Sequence, residues 1–169
     1  VQTKVPYVES GWLGVLGFLA VIWAVPVLQG FGSEAWIDAG VLHSAAVRDG
    51  EWWRAVTALT LHGGLEHILS NSLFGGLFGF FVARYLGSGV GWLVILLSAS
   101  AANAVNAMVH PDAFRALGAS TANFAALGLA PTLLWRKGAF RQQDWRRGVA
   151  PIFAAIAMLA FTGFGAERV

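Results

Sequence analysis

Residues of nucleophile and hydrogen-bond donor types occur in two short stretches of an otherwise apolar chain. His67 and Asn71 are four residues apart, so they share one face of a helix. Ser120 follows Gly118 and Ala119 at the start of another apolar stretch. Serine can act as a nucleophile, and imidazole and amide groups can donate hydrogen bonds. If the fold brings the two stretches together, they form a polar cluster of nucleophile and hydrogen-bond donor types.

The composition indicates that these polar residues are surrounded by a membrane. The chain of 169 residues is 57% hydrophobic and 12% charged, and the charged share is about half that of a soluble domain. Too few charges are present to cover a surface that faces water. The chain has no cysteine, which excludes disulfides and thiolate metal sites. Its pI near 9.5 reflects basic residues in one short loop, which a membrane explains better than nucleic acid does.

Five uncharged stretches, titratable histidines aside, predict five membrane-spanning helices. A spanning helix needs about 20 predominantly apolar residues, and every stretch approaches or exceeds that length. The second is the shortest and needs part of the preceding turn. The predicted fold is therefore all-α, a polytopic membrane helix bundle. The five stretches are residues 10–33, 67–83, 85–111, 116–135 and 148–166.

A cluster of basic residues predicts the orientation of the bundle. It lies in the loop between the fourth and fifth stretches and contains Arg136, Lys137, Arg141, Arg146 and Arg147. Basic residues in short loops stay in the cytoplasm. This orientation makes the N-terminus cytoplasmic and puts the segment 34–64 outside. Because that segment mixes tryptophans with charges, we interpret it as an outer interfacial loop with one or two short helices; a packed loop without a task is the alternative.

The orientation puts the serine, the histidine and the asparagine at one depth, near the outer face. Each has a structural explanation when taken alone, because serine often bonds its own helix backbone and His–Asn pairs hold helices together. Gly75 and Gly79 are most simply a packing face. Further polar residues, Ser98, Asn103 and Asn106, lie along the third stretch. The combination at one depth favours a functional site, because polar groups inside a membrane are costly.

At these residues the chain resembles the rhomboid family of intramembrane serine proteases. Four motifs of the family occur in order, and they read GEWWR, LHGGLEHILSN, LGS and GAST. They are similar to the outer-loop Trp-Arg motif at residues 50–54 and the two-histidine and asparagine pattern at 61–71. The others match the turn between helices two and three at 86–88 and the Gly-Xaa-Ser-Xaa nucleophile motif at 118–121. The resemblance runs from about Gly11 to the end of the chain.

The resemblance implies a role for each residue of the site. Ser120 would attack the scissile carbonyl. His67, Asn71 and the backbone amide of Ser120 would stabilise the oxyanion, and Gly118 would allow the backbone to approach closely beside the nucleophile.

Supporting roles and departures also follow from the resemblance. His62 and Arg54 would brace the outer loop. Phe124 holds the place of an aromatic residue that often packs on the catalytic imidazole. Thr121 stands where the family commonly has glycine or alanine, and Ala83 stands where a glutamate often precedes the Leu-Gly-Ser turn.

The resemblance also implies a sixth core helix, which carries the histidine that deprotonates the serine. We expect residues 1–169 to be a single rhomboid-like membrane domain, incomplete at its C-terminus, with five of the six core helices. A serine without an adjacent base is a poor nucleophile, so we expect the chain as given to be inactive. Among the histidines present, His67 is the best placed to act as a substitute base, but it is assigned to the oxyanion; His110 and His43 are weaker candidates.

The expected function is that of an intramembrane serine endopeptidase, which cleaves transmembrane protein substrates near the outer membrane face. Membrane lipid and those substrates are the expected partners, with no cofactor, metal ion or nucleic acid. One alternative is an inactive rhomboid-like pseudoprotease that binds transmembrane segments. Another is a small multi-pass transporter subunit, which the absence of an internal repeat and the off-centre polar cluster disfavour.

Cysteine labelling tests the predicted orientation, and the chain has no cysteine of its own to interfere. We expect Lys137→Cys in the basic loop to resist a membrane-impermeant thiol reagent added to intact cells. Asp49→Cys in the outer segment should react readily and serves as the matched control. The orientation is wrong if the reagent labels position 137 and spares position 49.

Overall fold

The computed structural model describes residues 11–31 and 33–136, and it is built almost entirely of helices. This confirms the predicted all-α class. The elements in chain order are α1 (Trp12–Gln29), α2 (Glu34–Gly40), β1 (Leu42–His43), α3 (Ser44–Arg48), α4 (Arg54–Thr57), a 3₁₀ turn (Ala58–Thr60), α5 (Leu65–Leu86), α6 (Ser88–Val109), β2 (Arg115–Ala116) and α7 (Ser120–Arg136).

Four of the five predicted spans correspond to the long helices α1, α5, α6 and α7. The fifth span and nearly all of the basic loop lie outside the described residues. By length and composition, α5 and α6 are each able to cross a membrane, at 22 residues apiece. α5 begins at Leu65, so it includes the turn before His67 that the sequence required for a span.

The outward-facing side chains of α5 and α6 are as apolar as the inward-facing ones. Ile68 and Ile95 are fully buried, whereas Leu73 and Leu97 expose 66% and 59% of their surface. A helix that is hydrophobic all round belongs in a protein core or in a membrane. Since these leucines are exposed, lipid is the solvent that suits them.

α7 packs against both α5 and α6, and the three helices share one apolar core. Small residues on α7 keep the helices close, because Ala122 and Ala126 are both buried in this core. α1 lies against α5, where the Trp23 indole Nε1 donates a hydrogen bond to Ser72 Oγ at 3.0 Å. The bundle therefore surrounds α5, the helix that carries His67 and Asn71.

The segment 34–64 contains three short α-helices and a strand, more structure than the one or two helices predicted. β1 pairs antiparallel with β2, with Leu42 opposite Ala116 and His43 opposite Arg115. This pairing was not predicted, and it puts Ala116 in a strand where the fourth span was expected to start. The strands connect segment 34–64 to the loop before α7. Their pairing provides hydrogen bonds for backbone groups that lie outside the helices.

Glycines make the turn between α5 and α6 and their close contact. Gly87 alone joins the two helices at φ 84°, a left-handed conformation that favours glycine. A Cβ atom on Gly79 would lie 2.3 Å from Cζ2 of the Trp92 ring. α6 can approach α5 this closely only because the side chain is missing.

We expect Gly79→Ala to destabilise the bundle, because the rigid indole of Trp92 would have to move. Overpacking of this kind costs about 1–3 kcal/mol. Gly128→Ala is the matched control, since a Cβ atom there meets nothing within 4 Å and alanine suits a helix better than glycine. Unfolding of both variants in detergent checks this, and equal stabilities would contradict the tight contact.

Candidate active site

The backbone at Gly118 packs directly on the imidazole of His67. A Cβ atom on Gly118 would lie 2.5 Å from His67 Nε2 and 3.5 Å from Asn71 Nδ2. Gly118 also has a φ of 114°, which a side chain would strain. The structure therefore brings together the two stretches that the sequence singled out, with the loop before Ser120 lying against one face of α5.

Two hydrogen bonds to segment 34–64 hold this loop in place. The Gly118 N–H donates to the carbonyl oxygen of Ala58 at 2.9 Å. The Ala119 N–H donates to the ring Nε2 of His62 at 3.5 Å. Both acceptors precede α5, so the same stretch of chain that leads into His67 also positions the loop before Ser120.

Ser120 is the first residue of α7 and is half-buried. The first backbone bond of the helix runs from the Asn123 N–H to the Ala119 carbonyl at 3.0 Å. The amides of the residues before Asn123 have no acceptor within the helix, and they carry the positive end of its dipole. Negative charge that develops beside Ser120 would be stabilised there.

His62 is a neutral hydrogen-bond acceptor in this site. Its side chain is buried, and this burial, with a smaller contribution from nearby His67, lowers its pKa from 6.5 to about 4. The two imidazole rings meet edge to face, with their centroids 5.1 Å apart. A neutral ring leaves Nε2 free to accept from the Ala119 N–H.

Arg54 joins separate parts of segment 34–64 by hydrogen bonds. Its Nε donates to Glu51 Oε2 at 2.6 Å, and one terminal nitrogen donates to the carbonyl oxygens of Asp38 and Val41 at 2.7 and 3.1 Å. Thr57 Oγ1 adds a bond to the Gly40 carbonyl at 2.8 Å. These bonds fix α4 against α2, directly before Ala58, whose carbonyl oxygen accepts from Gly118.

Two other predicted residues have partners away from His67. The Thr121 hydroxyl donates to Asn103 Oδ1 at 3.0 Å, and Asn103 Nδ2 donates to the Ala55 carbonyl at 3.0 Å. These hydrogen bonds join α7 to α6 and to Ala55 in segment 34–64. Phe124 packs against the apolar core shared by α5, α6 and α7.

Sequence analysis missed Asn123, which is buried between α7 and α5. Its exposure is 1%, and its Nδ2 donates to Asn71 Oδ1 at 2.9 Å. A signal was present, because an asparagine inside an apolar stretch is costly in a membrane and usually has a partner or a task. Its spacing of three residues from Ser120 also puts both near one face of the helix.

No metal centre is associated with the site in the part of the chain that the structure describes. Residues 11–31 and 33–136 contain no group of three or more histidine, aspartate, glutamate or cysteine side chains placed to hold an ion.

Comparison with known proteins agrees with the geometry. Residues 49–168 match the model of the rhomboid domain. The chain is 27% identical over 147 residues to YdcA of Bacillus subtilis (strain 168), whose name assigns it provisionally as a rhomboid protease; the match covers 87% of this chain and 74% of YdcA. It is 33% identical over 96 residues to the rhomboid protease GluP of the same organism, covering 57% of this chain and 18% of GluP. The chain belongs to the rhomboid family of membrane proteins.

Proposed function

We propose that this chain carries the nucleophile and the oxyanion site of an intramembrane serine endopeptidase. The observation that carries the proposal is the contact of Gly118 with His67 and Asn71. It brings two side-chain donors next to a loop that ends in a serine at a helix N-terminus. A contact this close needs a glycine, and Gly118 also has a positive φ, which the helical glycines Gly75 and Gly79 do not have.

In the proposed reaction Ser120 Oγ bonds to the scissile carbonyl carbon and gives its proton to a base. The carbonyl oxygen becomes an oxyanion, which accepts hydrogen bonds from His67, Asn71 and the Ser120 N–H. The oxyanion then collapses, the scissile C–N bond breaks and the base protonates the leaving amine. Water attacks the acyl-serine, the bond to Ser120 Oγ breaks, and the serine regains its proton. Each oxyanion donor contributes about 3–4 kcal/mol in proteases of known mechanism.

The general base is the remaining requirement, and the four histidines of the chain are poorly suited to it. His62 Nε2 accepts from Ala119, and His67 faces Gly118. His110 is exposed at the end of α6, with Nδ1 bonded to the Asn106 carbonyl, and His43 lies in β1. We therefore propose a base outside these four, as the resemblance implies with its sixth-helix histidine, and residues 1–169 alone would react slowly.

The place of the site in the bundle supports transmembrane segments as substrates. His67 lies in the first turn of α5 and Ser120 at the start of α7, both next to the outer segment. We propose that this end of the bundle is the outer membrane face, with the N-terminus in the cytoplasm. Residues 34–64 would then form the outer interfacial part of one rhomboid-like domain that includes all 169 residues.

A fluorophosphonate probe tests Ser120 in the complete gene product. We expect covalent labelling that Ser120→Ala abolishes and that His67→Ala slows by about 10²-fold, the usual effect of losing an oxyanion donor. Ser98→Ala, which changes an exposed serine on α6, is the control and should label normally.

Residues 1–169 alone should label at least about 10²-fold more slowly than the complete protein, because general-base catalysis contributes that much. Persistent labelling of Ser120→Ala would contradict the proposal. No labelling of a folded wild-type protein would favour the pseudoprotease instead.

The buried His62 predicts a loss of stability in acid. The unfolded chain binds a proton at this histidine below its ordinary pKa of 6.5, whereas the folded chain does so only near pH 4. The free energy of unfolding should therefore fall as the pH drops from 6.5 to 4, by up to about 3 kcal/mol from this residue. Denaturant unfolding in detergent measures it. His62→Gln, which can still accept from the Ala119 N–H, should remove this part of the slope, and an unchanged slope would show that His62 is not its source.

A further inference from the structure

Asn123 on α7 bonds to Asn71 on α5 in a way that fixes the orientation of both amides. Asn123 Nδ2 donates to the Asn71 side-chain oxygen at 2.9 Å and to the Asn71 backbone carbonyl oxygen at 3.3 Å. The backbone carbonyl can only accept, so the NH₂ group of Asn123, and not its oxygen, must face Asn71. Asn71 must then present its own oxygen to Asn123.

This pairing leaves the NH₂ group of Asn71 for the site. Asn71 is fully buried, and among the described residues its Nδ2 has no hydrogen-bond acceptor. The same atom lies 3.5 Å from the position of a Cβ atom on Gly118. A buried donor without a partner destabilises the folded protein. The cost is borne where an oxyanion would form, beside the loop that ends in Ser120.

We propose that Asn123 is a positioning residue for the oxyanion site: it holds the Asn71 amide with its donor group toward the carbonyl oxygen under attack. The inference rests on the proposed function, because Asn71 must bind that oxygen. If the two amides paired the other way, Asn71 would turn its oxygen toward the site and would repel the oxyanion. Asn123 therefore acts on the reaction through Asn71 and touches no reacting atom.

Gly75 provides the space that this arrangement needs. A Cβ atom on Gly75 would lie 2.5 Å from Asn123 Oδ1 and 2.5 Å from the ring of Phe18. Asn123 therefore packs closely against Gly75 and Asn71 where α7 crosses α5. The glycine that the sequence indicated as a packing residue also accommodates the side chain that orients the amide.

The competing interpretation is that Asn123 has only a structural role and holds α7 to α5, since buried amides often join helices in membranes. Asn103 provides the comparison. It is also buried, at 4% exposure, and bonds Thr121 and the Ala55 carbonyl, but it has no bond to Asn71. Both asparagines should support folding, and only Asn123 should be coupled to catalysis through Asn71.

A double-mutant cycle on the complete gene product separates the two interpretations. Turnover of a peptide substrate in detergent gives kcat and KM, and thermal unfolding gives Tm. We expect Asn71→Ala to lower kcat by about 10²-fold, and Asn123→Ala to lower kcat by at least tenfold with KM little changed. In the Asn71→Ala background, Asn123→Ala should lower kcat no further. Asn103→Ala should lower Tm and have the same small effect on kcat in both backgrounds.

The outcomes distinguish the inference from the function on which it rests. Losses in kcat that multiply in the double variant, or an Asn123→Ala variant with unchanged kcat, overturn the positioning role while Ser120→Ala is still inactive. Full activity of Ser120→Ala overturns the proposed function and the inference together. If Asn123→Ala does not fold, Asn123→Leu keeps the branched shape without the amide, and the same cycle applies to it.

Discussion

The close contact between the Gly118 backbone and the imidazole of His67 is the constraint on which the rest of the site depends. It requires a glycine with positive φ at the end of one loop and a histidine in the first turn of α5. Any other residue at position 118 would place its Cβ atom 2.5 Å from His67 Nε2. Much of segment 34–64 holds this loop in position against α5.

Segment 34–64 positions the loop before Ser120 through hydrogen bonds to backbone groups. Arg54 and Thr57 bind carbonyl oxygens between residues 38 and 41, and the Ala58 carbonyl and His62 then hold the loop before Ser120. Ion pairs such as Arg115 with Asp38 are exposed, and exposed pairs contribute little. Hydrogen bonds to backbone groups are therefore the main determinant of the geometry, and the β1–β2 pairing adds to them.

The sequence predicted the helices better than it predicted the connections. Apolar length and the absence of charge located four described helices, and the four-residue spacing of His67 and Asn71 predicted their shared face. The pairing of Leu42 with Ala116 was not predictable, because two-residue strands carry no periodicity and depend on contacts distant in sequence. Asn123 was missed for a related reason: its importance depends on which residue of another helix it meets, and spacing within α7 does not contain that information.

The structure of the complete protein with a phosphonate bound to Ser120 tests the central claim most directly. Its phosphoryl oxygen stands where the oxyanion would form. The account predicts that this oxygen lies about 3 Å from Asn71 Nδ2, from a ring nitrogen of His67 and from the Ser120 backbone nitrogen. A phosphoryl oxygen that points away from all three, or a phosphonate carried by another residue, would contradict it.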